Sequence, residues 1–205
     1  GEDWEAIAKA DLVAVLHWSM NEKGTKLAEE VFTKAKEGGA TTFLDPSDIT
    51  NKHRRVKELL ERVVDAGLLD ILSLNENEVR VVAEAIGEKP LPRSYRVTDL
   101  WERIPPLSQS LKATLDVHTP IASCTARRGE IHIAPTIPVK VLNTTGAGDA
   151  WNAADITGLL LKLPPRERVL FANVSAALYI SNPRVEPPTL KEIIDYLRGM
   201  EKRGY

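Results

Sequence analysis

The residues with the clearest chemical use lie between Leu142 and Asn152. Gly146, Ala147 and Gly148 follow two small polar residues, Thr144 and Thr145, and Asp149 comes directly after them. A β-rich run is expected to end at Val139 to Leu142, and an apolar helical segment to open at Asp149 and reach about Leu163. A glycine turn entering a helix leaves backbone N–H groups without intrahelical partners and aims the positive end of the helix dipole outward. Gly146 and Gly148 remove the side chains that would hold an anion away from those donors. Such a turn suits a phosphate group. A carboxylate fixed at its lip implies chemistry on that phosphate. The plainer reading of the same residues is a glycine turn capping a core helix, with Asp149 favourable at its N-terminus.

With its flanks, Asn143-Thr144-Thr145-Gly146-Ala147-Gly148-Asp149 resembles the D-T-x-G-A-G-D signature of ribokinase-like (PfkB-type) carbohydrate and nucleoside kinases, matching six of seven positions. The resemblance implies that Asp149 takes the proton from an acceptor hydroxyl and that the Gly146, Ala147 and Gly148 amides hold charge developing on the transferred phosphoryl group. Asn143 stands where the family usually has an Asp, which in some members helps to hold a monovalent cation; this weighs against potassium activation. Asn75-Glu76-Asn77-Glu78 resembles the family's N-x-x-E motif, whose Glu acts through water on the magnesium and phosphate network. A hard cation such as Mg²⁺ keeps most of its waters, so a water-mediated carboxylate is physically reasonable. Asn75 with Glu78 three residues later is also a capping box. Asn75 can start a helix while Glu78 points at solvent and metal. Phe171 to Leu178 resembles the family's A-N-x-x-A-A-L helix beside the adenine, with Asn173 near the edge of the base and Ala176 among the small residues. Close helix packing accounts for the alanines equally well. The resemblance assigns nucleotide and cofactor contacts to Asn75, Glu78, Thr144, Thr145, Asn173 and Ala176, with Mg²⁺ as cofactor and ATP or ADP as co-substrate. The acceptor it implies is a sugar, nucleoside or related polyol, and it leaves room for a homodimer. Many relatives carry a glycine-rich T-x-G-x-x-G turn where this chain has His118-Thr119-Pro120-Ile121-Ala122-Ser123, so the choice between ATP and ADP stays open.

Composition narrows the alternatives. The chain has 205 residues, enough for one sizeable domain; 43% are hydrophobic and 27% charged, which excludes wholesale disorder. A net charge of −2 with scattered Lys and Arg gives no surface for nucleic acid. No apolar run reaches the roughly 18 residues of a membrane span, and the acidic start is unlike a secretion signal. The single Cys124 forms no internal disulfide, which suits a cytoplasmic setting. The resemblance implies that the chain corresponds to the C-terminal two-thirds of a ribokinase-like kinase. The upstream part normally supplies a β-sheet lid, a Gly-Gly motif and the main sugar-binding Asp. A catalytically silent nucleotide-binding protein, or an inactive kinase fragment, is therefore the alternative function. A nicotinamide-dependent oxidoreductase is disfavoured, because no G-x-G-x-x-G follows the first strand.

The elements that must position these residues follow from periodicity. Leu12 to Leu16, Thr41 to Leu44 and Leu69 to Leu74 read as strands, the first as one buried on both faces. Between them, Thr25 to Lys36 and His53 to Ala66 are amphipathic helices stopped by Gly38-Gly39 and Gly67. Alternation of this kind makes a parallel sheet covered by helices. Asp45-Pro46-Ser47-Asp48, after the second strand, reads both as an Asx-type turn and as a family segment near the phosphate end of the crevice. His17 and Trp18, at the end of the first strand, read either as site lining or as a polar cap and a packed indole. Glu76 to Ile86 is a helix stopped by Gly87, and a short helix spans Thr98 to Ile104 before Pro105-Pro106. Ala113 to His118 is a further strand. Ile121 to Ala126 and Glu130 to Ala134 form a hairpin. Pro164-Pro165 opens a helix, and Thr189-Leu190-Lys191-Glu192 caps the terminal one. The expected fold is a three-layer α/β/α domain over residues 1–205, with a mostly parallel sheet and an antiparallel β extension.

Overall fold

A computed structural model describes residues 2–202. Six strands, β1 Leu12–Val15, β2 Thr41–Leu44, β3 Ile71–Asn75, β4 Thr114–His118, β5 Ala122–Arg127 and β6 Glu130–Pro135, form one sheet in sequence order. β1 pairs with β2, and β2 with β3, in parallel. The helices are α1 Glu2–Lys9, α2 Gly24–Glu37, α3 His53–Leu59, α4 Glu76–Ile86, α5 Val97–Gln109, α6 Ala147–Leu160, α7 Pro165–Ser181 and α8 Leu190–Glu201. The fold is the expected α/β architecture. β5 and β6 meet at Arg128 (φ 51°) and Gly129 (φ 88°), two left-handed residues that make the tight hairpin turn matching strand twist.

By contacts the chain forms two compact units. One comprises Gly1–Val117 and Thr125–Ile131, the other His118–Cys124 and His132–Tyr205. In the first, α2 buries Ala28, Phe32 and Ala35, and β2 and β3 bury Phe43, Leu44, Leu72 and Leu74. In the second, Trp151 and Ala154 of α6 pack with Val169, Phe171, Ala172 and Val174 of α7 and with Ile193 of α8. No helix among the described residues is long and apolar enough to cross a membrane.

Several expectations need correction. The stretch 136–146 is not a strand: Leu142 N and Asn143 N donate to Ile180 O (2.8 and 3.2 Å), so they pair with the C-terminal turn of α7. Pro135 and Pro138 remove ladder donors on the way. α6 starts at Ala147, two residues before Asp149, because Gly146 takes the cap with φ 83°. α5 continues through Pro105 and Pro106. The carbonyls that lose their partners belong to Trp101 and Glu102, on the exposed face, where water can pair them. α3 runs into a π-helical turn, Leu60–Val64, that keeps Leu60, Val63 and Val64 buried. β1 lies at the end of the strand order and is half-exposed rather than enclosed. Trp18 is the packed indole: it is buried, and the Arg55 guanidinium lies 4.7 Å from its ring centre.

Candidate active site

In the first unit, β3 passes directly into α4 at Asn75. Asn75 Oδ1 accepts from Asn77 N (2.9 Å) and Glu78 N (3.1 Å). The Glu78 carboxylate turns back: Oε2 accepts from Asn75 N (2.8 Å) and Oε1 from Asn75 Nδ2 (2.7 Å). The expected capping box therefore forms. Contrary to the expectation that it points at solvent and metal, Glu78 folds back on Asn75 and is 4% exposed. Its carboxyl is pushed up to about 8, first by burial and then by the charges of Asp45 and Asp48, against the opposing hydrogen bonds from Asn75. The loop after β2 supplies those two carboxylates. Asp45 Oδ1 accepts from Ser47 N (2.6 Å) and Asp48 Oδ1 from Thr50 N (2.9 Å), so both Asx turns form. The Thr50 hydrogen bonds hold Asp48 below its usual range. Beside these turns, Ser47, Asp48 and Thr50 line a cavity of about 200 Å³ with Asn75, Asn77 and Glu78.

Two carboxyl groups, Asp48 and Glu78, line this cavity, and the charge of Asp45 also bears on Glu78; either a proton or a cation relieves such crowding. No cluster of three or more His, Cys, Asp or Glu that could hold a metal directly occurs among the described residues. A hydrated divalent cation, reached through water, fits this donor set better than a direct protein cage.

The second unit holds the glycine turn. Asn143 Oδ1 accepts from Thr145 N (3.0 Å), and Ala147 N donates to Thr144 O (3.1 Å). The Ala147 amide is thus engaged within the turn, and Gly148 supplies the first-turn amide that helix geometry leaves for a ligand. Gly146 is the N-cap and has no side chain to close the helix. Thr144, Thr145 and Asp149 are exposed. His118, at the end of β4, stacks on Trp151 with ring centres 5.0 Å apart. A Cβ on Gly148 would lie 3.5 Å from His118 Cε1, so the imidazole borders the first turn of α6.

Asn173 is placed differently from the expectation of a base-edge contact. It is buried, its Oδ1 accepts from Trp151 Nε1 (2.9 Å), and its Nδ2 donates to Pro135 O (2.9 Å) and Ala134 O (3.3 Å). These bonds make it a brace joining α7 to α6 and to the end of β6. Ala176 is partly buried against the same core, as close helix packing requires. The sequence reading missed Tyr179, whose Oη donates to Thr145 O (3.2 Å). Nothing local signals it, since the two residues are 34 positions apart and only the α6–α7 packing joins them.

The fold and these two helix entrances define an α/β domain with a glycine turn leading into a buried helix. The pattern described as pfkB family carbohydrate kinase matches residues 2–192, and the chain belongs to that family. It is 43% identical over 65 residues to bifunctional protein HldE of Wolinella succinogenes, a stretch covering 32% of this chain and 14% of that one. Arabidopsis thaliana ribokinase, solved with ribose and ATP, superposes with TM-score 0.72 at 21% identity, over 96% of this chain and 59% of the other. An E. coli protein described as a candidate ribokinase II, solved with ATP and Mg²⁺, gives 0.71 at 19% identity, over 96% and 61%. At such identities the likeness shows the fold. The chain spans about 60% of the length of these solved relatives.

Proposed function

We propose that this chain carries the nucleotide and phosphoryl-transfer part of a kinase that phosphorylates a hydroxyl of a sugar, nucleoside or related polyol. The observation that carries the reading is the exposed Asp149 carboxylate in the first turn of α6, directly behind the left-handed Gly146. Phosphoryl transfer depends mostly on positioning and charge stabilisation, and this turn provides a base beside anion-binding amides. Asp149 orients the acceptor hydroxyl and removes its proton. The Gly146 to Gly148 turn holds the charge that develops on the moving group, with Thr144 and Thr145 at its rim. Glu78, Asn75 and the Asp45–Asp48 loop hold the water shell of a cation. Mg²⁺ held there through water would supply positive charge toward the phosphates of a nucleotide. ATP or ADP is the donor; the ribokinase solved with ribose and ATP supports this class of co-substrates. Asn143 offers no charge for a monovalent cation and instead ties down Thr145 N.

A second reading of the same residues is a protein that binds nucleotide without turnover, since a glycine turn at a helix entrance holds an anion whether or not Asp149 acts as a base. One experiment separates them. Calorimetry should show MgADP or MgATP binding that disappears without Mg²⁺. Nucleotide-dependent phosphate transfer to a panel of sugars and nucleosides then decides for the kinase. Binding without transfer, in a protein extended to the full length of its relatives, decides for the silent reading.

A further inference from the structure

We propose that Tyr179 is a positioning residue that sets the orientation of the Thr145–Gly146 peptide and so aims the glycine turn; the proposal rests on that turn being the phosphoryl site. Glycine at 146 adopts φ 83°. Without a Cβ, a glycine tolerates either face of its preceding peptide nearly equally, so local sterics do not fix the direction of its N–H. The hold comes from α7. Tyr179 Oη donates to Thr145 O (3.2 Å), and one residue on, Ile180 O accepts from Leu142 N (2.8 Å) and Asn143 N (3.2 Å). The last turn of α7 thus grips the approach to the turn at three points, satisfying one of its own orphan carbonyls in doing so.

The geometry has a direct consequence. In a trans peptide the C=O and the following N–H point in opposite directions. Holding Thr145 O toward Tyr179 therefore turns Gly146 N–H to the other side, away from the phenol. The ring also occupies the space a side chain at 146 would need, since a Cβ there would lie 2.6 Å from Tyr179 Oη and 3.2 Å from Cζ. The grip is firm only if α7 is fixed on α6. Three contacts fix it: the buried Arg168–Asp155 ion pair, the Trp151–Asn173 hydrogen bond, and Ser175 Oγ donating to Ala150 O (3.2 Å). Asn143 Oδ1 on Thr145 N completes the restraint from within the loop.

The test is Tyr179→Phe, which keeps the ring and removes the hydroxyl. Hydrogen exchange over residues 143–148 should speed up about fivefold, the worth of one neutral hydrogen bond. MgADP affinity, measured by calorimetry on the whole chain, should weaken by a similar factor while the melting temperature barely moves. Unchanged exchange overturns the proposal. So does a lowered melting temperature with unchanged MgADP affinity, which would make Tyr179 a packing residue only. If the unaltered chain binds no MgADP, the phosphoryl-site reading fails, and the exchange comparison alone still decides whether Tyr179 orients the turn.

Discussion

α4 and α6 begin with the same arrangement and put it to opposite uses. Each carries a carboxylate at the third helical position, Glu78 in one and Asp149 in the other. At α4 the cap is Asn75, whose side chain bonds the first turn and donates to Glu78, and the glutamate folds inward until it is 4% exposed. At α6 the cap is Gly146, with no side chain to reciprocate, and Asp149 is a methylene shorter than Glu. Its carboxylate stays at the surface. The cap residue decides whether an acidic group in the first turn closes the helix or faces the surroundings. Burial drives the enclosed acid toward its neutral form. A base that must be charged at neutral pH belongs at the second kind of entrance.

The largest effect should come from removing the base proposed at Asp149. Asp149→Asn keeps the shape of the first turn and loses the proton acceptor. In any form of the protein that transfers phosphate, kcat should fall on the order of 10²–10⁴-fold. Stability should change by under about 1 kcal/mol, the usual scale for a helix-terminal charge. Retained turnover with lost stability would make both acids structural and end the contrast.

Next is Glu78→Gln. The folded-state carboxyl titrates at about 8 and an unperturbed one at 4.5, so between these values the folded chain holds a proton that the unfolded chain releases. Stability of the unaltered protein therefore falls as pH rises through that window, and Gln at 78 removes the slope. Urea unfolding should give similar stabilities at pH 5 and favour the variant by about 4 kcal/mol at pH 8.5. Parallel pH profiles would mean that Glu78 ionises normally, and the asymmetry between the two acids would disappear.

Gly146→Ala probes the α6 cap itself. A residue with a Cβ at φ 83° is strained, and that Cβ would meet Tyr179 Oη at 2.6 Å. The expected cost is about 2 kcal/mol in thermal or urea unfolding. A cost near zero would show that the left-handed cap is not needed.

The same contrast explains what the sequence could reveal. Asn75-x-x-Glu78 is a local pattern whose geometry is fixed by spacing, so the capping box was legible before any coordinates. Local chemistry also explains why the left-handed glycines Gly39, Gly67 and Gly87 could be read as helix stops. The turn at Gly146 was legible as a motif. Its support was not, because Ile180 and Tyr179 reach it through tertiary packing. Residues 139–142 are apolar enough for a strand, yet their partner is a helix end rather than a neighbouring strand. Asn173 looked like a ligand contact by resemblance, and only packing reveals that its amide bonds Trp151 and the end of β6. Likewise α5 passes through Pro105-Pro106 because its exposed face leaves the orphaned carbonyls to water, a property no dipeptide rule contains.

The smallest effect tests the α4 cap. Asn75→Ala removes both the acceptor for Asn77 N and Glu78 N and the Nδ2 donor to Glu78 Oε1. Loss of an Asn cap typically costs about 1 kcal/mol, and urea unfolding at pH 5, where Glu78 is neutral, isolates that term. The second readout is the Glu78 titration, followed by carboxyl NMR. Asn75 Nδ2 stabilises the ionised carboxylate, while burial opposes it more strongly. If Glu78 stays buried in the variant, its pKa must rise further, because only the favourable contact has been removed. If it falls toward 4.5 instead, the side chain has swung out to solvent as Asp149 already does. The first outcome means that packing from Ser47 to Thr50 holds Glu78 inward, and the cap only tunes it. The second means that the cap side chain alone separates the two entrances, so a single substitution at Asn75 would convert the closed one into a copy of the open one.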